Sequence, residues 1–152
     1  MVVVGPLDSL ERTMIKRIPI VEDKGYFEAE HNVDTFTSGC ALLDCVLGGG
    51  WAVGRVANVV GDKSSGKTLL AIEACVNFAR KYPDGKIYYL EAEAAFDQSY
   101  AASLGLPLDR VKFIDDVFTV EGFFKSVEAI MAKNPKQPSL YIVDSLDALS
   151  DE

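Results

Sequence analysis

Between residues 59 and 70 the chain reads VVGDKSSGKTLL, which sets Gly61, Gly66, Lys67 and Thr68 in the spacing G-x-x-x-x-G-K-[ST]. That spacing suits a loop that wraps a phosphate. The glycines permit a tight backbone whose N–H groups turn inward, the lysine reaches β- and γ-phosphates, and the threonine hydroxyl ligates Mg²⁺. Asp62, Lys63, Ser64 and Ser65 fill the turn between the glycines and Leu69 follows Thr68, so residues 61–69 are the candidate phosphate-binding stretch. β-Branched residues precede it and an apolar helical run follows, the setting in which a helix's first amides face an anion. Read as structure alone, the same residues would be a flexible strand-to-helix turn. A chance match in a chain of this length has a probability of roughly one in a hundred or less.

A magnesium ion beside such a loop needs a further acid, and LYIVDSLDAL offers Asp144 at the end of an apolar run. The carboxyl end of a strand is where α/β sheets place their ligands. Alternatively Asp144 is a helix N-cap, with Ser145 and Leu146 beginning a turn. The residue after it is Ser145 and not a second acid, so a general base must come from another strand. In YYLEAEAAFDQSY, Glu91 and Glu93 stand two apart and share one face if the strand runs on. Either could orient and deprotonate a water for in-line attack on a γ-phosphate, and either could be a solvated edge charge. Asp97 and Tyr100, at i and i+3 of the next predicted helix, could bracket a purine between a carboxylate and an aromatic face. Taken alone, Tyr100 reads as a core residue.

The elements that must position these groups follow from periodicity. The runs VANVV (56–60), IYYL (87–90), VKFI (111–114) and SLYIV (139–143) read as strands, joined by connections long enough for helices, which predicts parallel βαβ units. Val120, Phe123, Phe124, Val127, Ile130 and Met131 mark one helical face, with Thr119 as N-cap and Phe118 placed to staple onto Phe123. Gly66 to Lys81 is apolar nearly all round, as in a covered helix, and YPDGK ends it. TSGCALLDCVLGGG predicts a Thr/Ser start, a helical stretch through Leu42, Leu43 and Val46, and a glycine stop. The fold class is α/β, three layers, with a mainly parallel central sheet flanked by helices.

With 152 residues, 49% of them hydrophobic, the chain suits one domain with a proper core. Residues 1–34 read as an N-terminal arm or lead-in, a candidate oligomerisation segment, and 35–152 as the N-terminal part of a nucleotide-binding core. The net charge of −8 gives no basic surface for nucleic acid or an anionic membrane. Cys40, Cys45 and Cys75 form no C-x-x-C pair and His31 is the single histidine, so three reduced thiols are expected. MVVVGPLDSL is too short an apolar stretch for a signal or a membrane span, and the expected compartment is cytoplasmic.

Taken together, SGCALLDCVLGGGWAVGRVANVVGDKSSGKT, YLEAEAAFDQSYAASLGL and YIVDSLDALS resemble the ATPase core of the RecA family of recombinases, bacterial and phage (UvsX-like), over about residues 35–152. The chain carries that family's lead-in (Leu43, Asp44, Leu47, Gly48), its S-S-G-K-T loop, its A-E element and its V-D-S-x-x-A-L element. The resemblance implies ATP and Mg²⁺ as cofactors, with Glu93 as the catalytic glutamate, Asp97 as the adenine-amine contact, Tyr100 as the stacking tyrosine and Asp144 as the Mg-supporting aspartate. It further implies a DNA-dependent ATPase of homologous recombination and repair, which forms a homo-oligomeric filament on single-stranded DNA. Asp62 and Lys63 depart from the proline and glutamate of the bacterial proteins, and Leu69 from a second threonine, which suggests a divergent, phage-borne member acting in a bacterial cell or an infected host.

In the resembling fold the DNA-binding loops and a γ-phosphate-sensing glutamine lie beyond the aspartate strand. Partners on DNA are therefore expected through residues past 152. The family's sensor strand lies between the loop strand and the aspartate strand, so a gap in the sheet is expected there, in a core that is incomplete in this chain. Other readings of the same motifs are a RecA-fold ATPase of another role, KaiC-like or helicase-like, and an assembly module that binds nucleotide without turnover.

Overall fold

The computed structural model describes residues 2–4, 33–92, 96–133 and 135–150. Its strands are β1 (Val2–Val4), β2 (Thr35–Phe36), β3 (Trp51–Ala52), β4 (Arg55–Ala57), β5 (Lys86–Glu91), β6 (Val111–Ile114) and β7 (Ser139–Asp144). The helices are α1 (Ala41–Val46), α2 (Lys67–Lys81), α3 (Gln98–Ser103) and α4 (Val120–Lys133). Five strands form one sheet in the order β4-β1-β7-β5-β6, and β2 pairs with β3 apart from it.

β5 lies parallel to β7, from Lys86 opposite Ser139 to Glu91 opposite Asp144, and parallel to β6, from Ile87 opposite Val111 to Leu90 opposite Ile114. β1 is antiparallel to both β4 and β7, so β4 runs in the same direction as β5, β6 and β7. Side chains alternate across a strand. Ile87, Tyr89, Leu140 and Ile142 therefore meet Ile72, Cys75, Val76 and Phe78 of α2 on one face. Leu90, Tyr141 and Val143 meet Phe123, Val127 and Met131 of α4 on the other. The expected three layers are present, helix on either side of a mainly parallel sheet.

Three local expectations are revised. The loop strand covers Arg55–Ala57 rather than 56–60, because β1 pairs only with those three residues; no described strand pairs with 58–60, and Val60 is 85% exposed. The slot expected between the loop strand and the aspartate strand is filled along that short length by Val2–Val4, from the segment read as a lead-in. At the start of α4, the Thr119 hydroxyl accepts from the Gly122 amide at 3.0 Å, as an N-cap should. Phe118, however, gives its carbonyl to Ser150 and leaves its ring 73% exposed, so it does not staple onto the buried Phe123.

Thr37 and Ser38 do not cap α1. Instead the Asp44 carboxylate accepts from the Ser38 amide at 2.7 Å, the Ser38 hydroxyl at 2.5 Å and the Thr37 hydroxyl. These bonds, the Ser38 hydroxyl first, hold the Asp44 carboxyl below its ordinary range. The far end of α2 is fastened by Arg110, whose guanidinium donates to the carbonyls of Ala79 at 2.9 Å, Tyr82 at 2.6 Å and Gly85 at 3.0 Å. Those carbonyls belong to the helix's unpaired end and to the turn that follows, where a cation also complements the helix dipole. Among the described residues, no helix is long and apolar enough to cross a membrane.

Candidate phosphate-binding site

The loop that follows β4 leads directly into α2. Gly66 stands at the helix N-cap with φ 93°, a left-handed conformation that glycine adopts without strain, and among the described residues no side chain caps the helix. The amides of the first turn are thus left to an anion or to solvent. A Cβ on Gly61 would come within 2.7 Å of the Ser65 hydroxyl oxygen, so the first glycine lets the loop fold onto itself. Lys67 is the helix's first residue, and its ammonium donates to the carbonyls of Gly61 and Asp62, both at 2.9 Å. The lysine therefore arches back over the loop it belongs to.

Gly61, Lys67 and Asp144 line one cavity of about 160 Å³, together with Trp51, Asn58 and Ser145. The loop and the aspartate strand, 80 residues apart in sequence, meet there because β4 and β7 end on the same side of the sheet. Asp144 closes β7, and the short 3₁₀ turn Leu146–Ala148 after it takes Ser145 as its N-cap, so the alternative of Asp144 as a helix cap is set aside. Its Oδ2 accepts from the buried Tyr89 hydroxyl at 3.0 Å. Trp51 is buried, and its indole nitrogen has no hydrogen-bond partner among the described residues.

Thr68 and Leu69 lie in the first turn of α2, while Asp62, Lys63, Ser64 and Ser65 form the exposed turn before it, with the Ser65 amide donating to the Asp62 carbonyl at 3.2 Å. Ser64 also takes a left-handed φ of 61°. Glu91 ends β5 in register with Asp144, and the Ala92 amide donates to the Asp144 carbonyl at 2.9 Å, so the paired backbone runs one residue further. Glu93 lies outside the described residues. Asp97 is the N-cap of α3, its Oδ1 accepting from the Tyr100 amide at 3.0 Å, and Tyr100 is 47% exposed. That exposure removes Tyr100 from the core, where its aromatic type alone would place it. Neither residue lines the cavity, but Phe96, next to Asp97, packs on Tyr89 at a ring separation of 4.8 Å.

Tyr89 and Trp51 carry no motif, and sequence reasoning passes over both. Tyr89 has one legible signal, its place two residues before Glu91 and so on the same strand face. Its distance from Asp144 depends on β5 lying beside β7, which no local pattern states.

Residues 10–152 match the sequence profile of the RecA N-terminal domain. The protein RecA of Mycoplasma genitalium is 35% identical over 128 residues, which cover 82% of this chain and 36% of that protein. The protein RecA of Prochlorococcus marinus is 36% identical over 118 residues, covering 78% of this chain and 30% of its own. For Nostoc punctiforme the figures are 35% over 117 residues, 77% and 31%. The chain thus spans about a third of the length of these relatives. They are bacterial, and they lend no support to the phage origin suggested by Asp62, Lys63 and Leu69. With the profile matched over nearly its whole length and the loop and aspartate strand that motif reading expects meeting at one cavity, this chain belongs to the RecA N-terminal domain family.

Proposed function

We propose that this chain is the nucleotide-binding part of an ATP-dependent recombinase, which assembles on single-stranded DNA and is released from it by ATP hydrolysis. The observation that carries the reading is the meeting of Gly61, Lys67 and Asp144 at one cavity. An uncapped 15-residue helix pointing its first turn at that cavity, with an ammonium already folded over the loop, fits a polyphosphate. Thr68 and Asp144 are the side chains that would hold Mg²⁺, a hard cation that takes few protein oxygens when phosphates supply the rest. Magnesium-bound ATP supplies a polarised γ-phosphoryl group.

The protein's part is to place charge and exclude motion. Lys67 exchanges the Gly61 and Asp62 carbonyls for phosphate oxygens, and the loop amides hold the phosphates in register. Glu93 would accept the proton of the attacking water, with Glu91 at the end of β5 as the other carboxylate able to do so. Tyr100, exposed beside the α3 cap, offers its ring to the base. A cavity of about 160 Å³ is smaller than a pocket for a whole ligand, so the base lies outside it.

ATP turnover measured with and without single-stranded DNA, on a chain of the length of its RecA relatives, tests the proposal. DNA-stimulated turnover supports it. Turnover indifferent to DNA assigns the chain to another RecA-fold ATPase, and binding without turnover assigns it to an assembly module. Glu93→Gln should retain nucleotide while turnover falls by about 10² or more. If Glu91→Gln gives that loss instead, the base is Glu91.

A further inference from the structure

β5 and β7 are parallel neighbours, with Tyr89 opposite Ile142 and Glu91 opposite Asp144. Tyr89 and Asp144 are thus diagonal neighbours on one face of the sheet, separated by two residue steps, a distance that a long aromatic side chain can span. Tyr89 does span it, ending 3.0 Å from Asp144 Oδ2. The ring is fully buried and clamped by two others, Phe96 at 4.8 Å and Phe113 at 5.9 Å, which themselves stack edge to face at 5.1 Å. Its hydroxyl is therefore held in place by packing on β5, β6 and the segment before α3.

We propose that Tyr89 is a positioning residue for Asp144: its hydroxyl engages one carboxylate oxygen and so fixes the plane in which the other meets the divalent cation or a water bound to it. The inference rests on the Mg²⁺-nucleotide reading of the cavity and adds to it a residue outside every motif. A half-buried carboxylate held by a donor of fixed direction loses freedom to rotate, and partners of this kind raise the affinity of the metal site they support. The aromatic clamp also gives the metal side of the site a rigid connection to Asp97, which follows Phe96 and caps the helix that carries Tyr100.

The test is Tyr89→Phe, which removes the hydroxyl and keeps the ring among its neighbours. Binding of methylanthraniloyl-ATP is measured over a range of Mg²⁺ concentrations and in EDTA, for the wild type, Tyr89→Phe, Asp144→Asn and the double variant, with thermal unfolding of each protein without ligand. The Mg²⁺ concentration for half-maximal binding should rise about tenfold in Tyr89→Phe, the scale of losing a partner of a metal-supporting group. Affinity in EDTA should stay within about twofold, and adding Tyr89→Phe to Asp144→Asn should change the Mg²⁺ dependence no further. An equal loss with and without Mg²⁺, or a lowered unfolding midpoint with unchanged Mg²⁺ dependence, would show Tyr89 to be packing alone and overturn the proposal. A wild type that binds no nucleotide in either medium sinks the underlying reading and this inference with it, whereas normal wild-type behaviour with an identical Tyr89→Phe sinks this inference only.

Discussion

β5 and β7 pair over six residues, from Lys86 and Ser139 to Glu91 and Asp144, whereas β4, among the described residues, reaches the rest of the sheet only through the three residues of β1. Five residues of β7 are buried between helices on both faces, while Arg55 and Val56 of β4 are exposed. Local stability follows buried apolar contacts and protected hydrogen bonds, so the two sides of the cavity open at different cost. Asp144 stands on the firm side and the loop of residues 61–66 springs from the light one. A site divided in this way holds its acid fixed and lets its loop adapt. A ligand that touches both Lys67 and Asp144 ties the sides together and stabilises the folded chain by mass action.

The largest expected effect breaks that tie. Lys67→Ala should weaken ATP binding by about 10² or more, since a phosphate-facing charge acts in a partly dehydrated site; calorimetric binding close to wild type would remove the loop from the ligand site. Truncation on each side sharpens the contrast. Ile142→Ala, deep on the firm side, should cost roughly 3 kcal/mol in urea unfolding, the range for a buried isoleucine. Val56→Ala, 51% exposed on the light side, should cost no more than about 0.5 kcal/mol. Equal costs would erase the distinction. Arg110→Ala lies between them: three carbonyls lose a charged donor, and roughly 2 kcal/mol should follow.

Proton linkage separates the regions more gently. Burial raises the Tyr141 phenol to about 12 and raises Tyr89 as well, both from an ordinary 10.0. A folded value above the unfolded one means stability that is whole below pH 10 and is lost as pH rises through the folded values. Alkaline unfolding should therefore begin in the firm half, with Tyr141→Phe flattening the slope above pH 10. Asp34, lowered chiefly by its bond from Lys81, and Asp44, lowered by Ser38, show the opposite sign. Their contribution is present above the ordinary 3.8 and fades as pH falls below it, so Asp44→Asn should flatten only the acid limb.

Much of this was legible in the sequence, and unevenly so. VKFI and IYYL mark their strands within a residue at each end, and the apolar spacing from Val120 to Met131 marks α4, because these segments are shaped by burial on a regular face. The loop and Asp144 stood out for another reason, a motif that restricts residue type and spacing together, and the structure brings Gly61, Lys67 and Asp144 to one cavity. β1 was not readable: three valines gain a strand's identity only from the slot they enter. The Tyr89 bond escaped in the same way, since it depends on which distant segments become neighbours, whereas the Asp44 cluster escaped because Thr37 and Ser38, read as a helix start, turn back onto a residue inside the helix. Residue type alone would place Tyr100 in the core, yet it is half exposed, an aromatic ring being equally at home in a core and at a ligand face.

The chain has one tryptophan, and its position at the cavity has an optical consequence. A buried indole whose N–H has no hydrogen-bond partner among the described residues emits as in a nonpolar solvent, toward the blue. Trp51 shares its cavity with Gly61, Lys67 and Asp144, so a dense anion arriving there changes the field across the ring, and any movement of the loop changes the ring's access to quenchers. No other indole contributes to the signal. The protein thereby carries its own gauge of occupancy, readable in an unlabelled sample as a shift in emission when a ligand fills the cavity.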